Sequence, residues 1–160
     1  MKSLTFALIP AAALLFAGCG PGEHDHHHDH AGHDHGAHEH HHEAPHGGTA
    51  VVLGDEAFHL EFVRDGEAGS LSAYVLDGHM ENFVRVTNEV IVLEARDRGE
   101  LKLMAAANTA TGETVGDTSH FSATADWLKT TTNFAATITS VTIRGTLFTN
   151  VTFAFPEGNE

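Results

Sequence analysis

Residues 133–155 read NFAATITSVTIRGTLFTNVTFAF, with β-branched residues throughout and a glycine, Gly145, near the middle. Branched and aromatic side chains suit a pleated, half-buried surface, and a central glycine lets the chain reverse, so the stretch predicts a long hairpin with strands 133–144 and 146–155. Working backward, residues 58–63 read FHLEFV. Phe58, Leu60 and Phe62 alternate there with His59, Glu61 and Val63, which makes a strand with one apolar face and sets His59 on the other. Leu101 and Leu103 repeat the pattern.

Short apolar runs at 49–53, 57–64, 70–76, 83–86, 89–96 and 100–106 read as further strands, separated by Gly-Asp, Asp-Gly-Glu-Ala-Gly, Asp-Gly-His and Asp-Arg-Gly turns. Residues 108–117, rich in Thr, Gly and Asn, predict a loop. Residues 124–129 predict one helical turn, with Thr124 as N-cap and Asp126 near its positive end. Eight or so closely spaced strands with almost no helix predict an all-β domain over 49–157. An antiparallel β-sandwich of immunoglobulin-like kind is the first expectation, and a closed barrel is the alternative. Trp127 and the ten Phe read as core.

The chain has 160 residues, 22 Asp+Glu against 8 Lys+Arg, and a formal charge of −14. Such a surface repels phosphate backbones and anionic lipid head groups, so no nucleic-acid partner is expected and cations are the natural ligands. The one Cys excludes an intramolecular disulfide and any multi-cysteine metal site within one chain. A metal site must use His and carboxylate.

Residues 1–18 carry one early cation, Lys2, an apolar run over 4–16 broken by Thr5 and Pro10, and then small residues. That is the shape of a signal peptide, and the run is short for a membrane-spanning helix. The segment ends in Phe16-Ala17-Gly18-Cys19, with Phe16 where Leu is usual, and resembles the lipobox of bacterial lipoproteins. That resemblance implies cleavage before Cys19, acylation of its thiol and anchoring in the bacterial cell envelope facing the extracytoplasmic space. More than one acyl chain is enough for stable anchoring.

Residues 20–48 read GPGEHDHHHDHAGHDHGAHEHHHEAPHGG and contain twelve His and six acids, with no Lys or Arg. With no aliphatic side chain larger than Ala or Pro, a stretch of this composition cannot offset the entropy of ordering, so residues 19–48 predict a disordered tether of about 30 Å root-mean-square span. Its side chains have a more specific chemistry. Neutral imidazoles suit zinc, copper and nickel, and interleaved carboxylates add oxygen ligands. Candidate ligands are His24, His26, His27, His28, His30, His33, His35, His38, His40, His41, His42 and His46. His-x-His recurs at 24/26, 26/28, 28/30, 33/35, 38/40 and 40/42, so many overlapping pairs form a labile, multi-site buffer for zinc first and copper or nickel second.

Two further resemblances follow from these residues. His46-Gly47-Gly48 ahead of a strand, then 58–63, then Ala73-Tyr74-Val75-Leu76-Asp77, then the 143–148 turn IRGTLF resemble small secreted bacterial proteins with an HGG motif. Related segments occur near the N-termini of periplasmic adaptor subunits of heavy-metal efflux pumps. The resemblance implies a β-sandwich and a link to divalent metal handling by a transporter or efflux system. The histidine-rich stretch is also similar to the flexible loops of zinc-uptake binding proteins.

Beyond the tether lie only His59, His79 and His120. His59 and Glu61 share a strand face expected to be solvent-facing or half-buried, and Gly47-Gly48 lets His46 bend toward it, so His46, His59 and Glu61 form the candidate site within the domain. No Gly-x-Ser-x-Gly, His-Glu-x-x-His or phosphate-binding glycine loop is present, and no enzymatic activity is expected. The leading expectation is an envelope lipoprotein that buffers or chaperones divalent metal ions. The alternative is a non-catalytic interaction module with the histidine-rich segment as a pH-responsive spacer.

Overall fold

The structure, a computed structural model, describes residues 43–159. The expectations for the leader at 1–18, for Cys19 and for the histidines at positions 24 to 42 lie outside the described residues. Eight strands form: β1 Thr49–Leu53, β2 Phe58–Asp65, β3 Ser70–Asp77, β4 Val90–Ala95, β5 Gly99–Ala105, β6 His120–Thr124, β7 Phe134–Ile143 and β8 Thr146–Phe155. A 3₁₀ turn, Asp126–Lys129, links β6 to β7.

All neighbours pair antiparallel in a single sheet of order β1-β2-β3-β6-β5-β4-β7-β8. The expected immunoglobulin-like sandwich is therefore corrected to one nearly closed, barrel-like sheet. A strand with one apolar face has the same alternation whether that face meets a second sheet or the inside of a curled one, so alternation alone does not separate the two. The difference lies in β6, which joins β3 to β5.

The two edges are drawn together by the tail after β8. Gly158 pairs with Ala154 on one side. On the other, the Asn159 side chain accepts from the Val52 amide at 2.8 Å and donates to the Val52 carbonyl at 3.1 Å, and the Thr49 hydroxyl donates to the Pro156 carbonyl.

Inside lie the alternate residues of the strands, among them Val51, Leu60, Phe62, Leu71, Val75, Leu93, Leu103, Phe121 and Ile138, with Leu128 of the 3₁₀ turn. Phe62 of β2 stacks on Phe153 of β8 at 4.7 Å, bridging the two sides of the seam. Burying each such side chain contributes about 1.5–3 kcal/mol. The β7–β8 hairpin turns at Arg144 and Gly145, both at positive φ, the two-residue geometry that matches strand twist.

Three local expectations are corrected. Residues 83–86 contribute only isolated bridges, Leu76 to Phe83 and Val86 to Thr118. Strand β6 is not among the expected strands, because its sequence HFSAT holds one large apolar residue, Phe121, and so carries almost no alternation signal. The helical turn is capped at Ala125 rather than Thr124 and has no side-chain cap.

Candidate functional site

The outer face of β2, β3 and β6 carries a row fixed by strand register. Glu61 lies opposite Tyr74, and Tyr74 lies opposite His120. Side chains directly opposite on neighbouring strands stand about 5 Å apart, and the Tyr74 and His120 rings stack at 4.6 Å and 8°. His46 stacks on Tyr74 at 4.0 Å and 18°. The three rings thus form a column with the tyrosine in the middle.

His46 is held there by Glu61, whose side chain is fully buried. One Glu61 oxygen accepts the backbone N–H of His46 at 2.8 Å and that of Gly48 at 2.9 Å. The other lies 2.8 Å from His46 Nδ1. A buried carboxylate is costly unless it is hydrogen-bonded, and here each oxygen has a donor. Two glycines make the approach feasible. Gly47 takes φ +66°, closing a turn in which its amide donates to the Ala44 carbonyl at 2.9 Å. Gly48 runs so close to β2 that an added Cβ would stand 2.6 Å from the Phe62 carbonyl oxygen. The residues 46–48, which composition groups with the histidine-rich stretch, are thus bonded to β2.

The consequence for His46 is chemical. Toward an ionised Glu61, Nδ1 of a neutral His46 is the hydrogen donor, and Nε2 is then the acceptor nitrogen. The imidazole is partly exposed, at 37%.

Beside this column is a cleft of about 390 Å³ lined by His46, Tyr74, Phe83, Thr111, Glu113 and His120, among others. Its floor is organised by Glu113, which is buried. One Glu113 oxygen accepts from the Ser119 amide at 2.8 Å and the Ser119 hydroxyl at 2.6 Å, and the other accepts from the Thr111 hydroxyl at 2.6 Å. Burial pushes this carboxyl up, but the Ser119 and Thr111 hydroxyls, the Ser119 amide and the Arg85 charge together outweigh it and bring the pKa down to about 2. Arg85 also pairs with Asp117 at 3.1 Å and donates to the Thr111 carbonyl, tying down the outside of the same loop. For His120, burial and then the like charge of His46 lower the imidazole pKa, against the opposing pull of Glu113. Its Nε2 is buried and has no hydrogen-bond partner among the described residues.

Of the sequence-predicted site, His46 and Glu61 are brought together and His59 is not added to them. His59 shares the outer face with Glu61, as expected, but is 1% exposed instead of solvent-facing or half-buried, and its Nδ1 stands 3.3 Å from the Asp77 carbonyl oxygen. It is buried near Leu76, its cross-strand partner, outside the main apolar core. Among the described residues, no three His, Cys, Asp or Glu side chains converge as a complete set of metal ligands. Sequence reasoning missed Tyr74, Phe83, Glu113 and His120 as site residues. Only register could have revealed the Tyr74–His120 pair, and register needed β6. No protein-family model, curated protein or solved structure matches this chain.

Proposed function

We propose that this protein is an envelope lipoprotein, anchored through Cys19, that binds divalent transition-metal ions, zinc first and copper or nickel second, as a buffer or metallochaperone for a transport or efflux system. The observation that carries the reading is the junction at His46. Eleven histidines between residues 20 and 42 lead into an imidazole whose Nδ1 is engaged by a buried carboxylate, a pairing that metal-binding histidines commonly use to orient the ring and raise its basicity. The His-x-His pairs supply capacity, and fast exchange among overlapping pairs suits transfer rather than storage at one rigid centre.

Coordination by neutral imidazole releases protons, so affinity falls as pH drops through about 6.5. Calorimetric titration of zinc, copper(II) and nickel into the chain at several pH values tests this. Several ions per chain, bound more weakly at pH 5.5 than at pH 7.5, is the expected result. Affinity that is absent, or constant between pH 5 and 8, overturns it.

A second reading, a non-catalytic interaction module with the histidine-rich stretch as spacer, is favoured by Phe83, which is 49% exposed beside His46 and Tyr74. Deleting residues 24–42 separates the two. Unchanged metal tolerance, together with loss of a phenotype on replacing Phe83, favours the module.

A further inference from the structure

The sheet has a second opening besides the seam between β1 and β8. Strands β5 and β6 pair at Met104 with Ser122 and at Ala105 with Phe121, and the ladder ends there, although β5 reaches back to Gly99 and β6 runs on to Thr124. Between the diverging strands is a cleft of about 620 Å³ lined by Glu100, Leu101, Lys102, Ala123, Thr124 and Trp127, among others. We infer that this cleft is a strand-accepting site whose ligand is an extended segment of another polypeptide chain, paired along the Glu100–Lys102 edge of β5. The inference does not depend on metal binding and lies at the end of β6 away from His120.

The direction of the backbone groups follows from the hydrogen bonds on either side. Peptide groups along an antiparallel strand point alternately to its two neighbours. The Ala105 amide donates to the Glu89 carbonyl, on the β4 side, and the Ala106 amide donates to the His120 carbonyl, on the β6 side, both at 2.9 Å. Counting back by twos, Met104, Lys102 and Glu100 turn their N–H and C=O groups toward β6. The Ala125 amide donates to the Gly69 carbonyl, on the β3 side, so Thr124 turns its groups toward β5. In this register Lys102 and Thr124 are the next hydrogen-bonding pair, and they lie outside the ladder. Both edges of the cleft therefore offer backbone donors and acceptors. Buried Leu101, half-buried Ala123 and half-buried Trp127 lie beside them, so an entering strand meets hydrogen-bonding groups at its edge and apolar side chains on its inner face. Charged side chains often blunt such an edge. Here the Glu100 and Lys102 side chains pair with each other at 2.9 Å, along β5 rather than across the cleft.

The seam between β1 and β8 shows what covers an open edge in this fold. Gly158 of the tail exchanges two backbone hydrogen bonds with Ala154 of β8, at 2.8 and 2.6 Å. Asn159 presents its carboxamide to Val52 of β1 as a peptide group does, accepting one hydrogen bond and donating another. The cleft between β5 and β6 offers the same kind of groups, and among the described residues no strand pairs into it.

The test uses the full chain in detergent, without metal, and as probe a blocked six-residue peptide of alternating threonine and valine. Trp127 is the one tryptophan in the chain and reports on the cleft. Adding the peptide should shift its emission to the blue, move the amide signals of Lys102 and Thr124 and slow their hydrogen exchange. The same peptide with every amide N-methylated keeps its side chains and carbonyls but has no donor, and should bind weaker by about tenfold or more. No change in emission up to millimolar peptide overturns the inference, as does binding that leaves Lys102 and Thr124 unmoved or that is unaffected by N-methylation. Lys102 and Thr124 amides already protected in the free chain also overturn it. Protection independent of protein concentration then assigns the cleft to a segment of the same chain, and protection that grows with concentration assigns it to a second copy.

Discussion

Replacing Glu113 with Gln should remove a pH-dependent part of the stability of the folded unit. The carboxyl is buried and titrates near 2, below the ordinary value of 4.5, because the hydroxyl and amide donors and the Arg85 charge more than offset burial. A carboxylate whose pKa is depressed on folding stabilises fully above its unfolded value, and the contribution is lost as pH falls through the folded one. The window is therefore pH 4.5 down to 2. A tenfold change in an acid dissociation constant is equivalent to about 1.4 kcal/mol, so ionisation contributes about 3 kcal/mol at pH 7, about 2 at pH 3.5 and about 0.5 at pH 2. Gln keeps the shape and one acceptor for Ser119, so the main loss is the charge. Urea unfolding of wild type and Glu113→Gln, measured side by side from pH 7 to pH 2, should show a stability gap that closes over the lower part of that range. Other carboxylates titrate in the same window but cancel in the difference. A gap that stays constant with pH, or no gap at pH 7, would refute the assignment of Glu113 as an ionised clamp on the loop.

Phe62→Ala leaves a cavity at the stack with Phe153 and should cost about 3–5 kcal/mol in urea unfolding. Asn159→Ala removes both side-chain bonds to Val52, so the seam between β1 and the tail should loosen; the expected cost is about 1–2 kcal/mol, with faster exchange of the Val52 amide. Gly48→Ala forces a methyl against the Phe62 carbonyl and should cost about 1–3 kcal/mol while pulling His46 off Tyr74, read by thermal unfolding and by the ring-current shifts of the tyrosine.

Strands with regular alternation were legible from sequence almost to the residue. β1 and β8 fall where expected, and β2 and β3 are displaced by a residue at their ends. How the strands join was not legible. β6 forms because the β3 edge is available to it: Ser72 meets Ser122 and Ala73 meets Phe121, pairings between residues about fifty positions apart with little local propensity. Non-local pairing of that kind decides whether a set of one-faced strands becomes two sheets or one, and it leaves no trace in periodicity. Burial of His59 escaped notice for a related reason. Alternation gives the face on which a side chain stands, but not what packs over that face.

The pairing of His46 with Glu61 was legible because it joins two local signals, a glycine pair that frees the backbone and a carboxylate on the polar face of a strand. Its geometry engages both Glu61 oxygens with groups of the chain itself. A carboxylate offered to an ion presents a lone pair to it, whereas the fully buried Glu61 carboxylate, with three partners at 2.8–2.9 Å, holds a neighbour in place. Sequence spacing puts Glu61 within reach in both cases. Only the backbone amides of His46 and Gly48 distinguish them, and backbone amides carry no residue-specific signal. The same holds across the cleft, where Glu113 is consumed by Ser119 and Thr111. Two buried acids thus fix the segments on either side of the His46–Tyr74–His120 column.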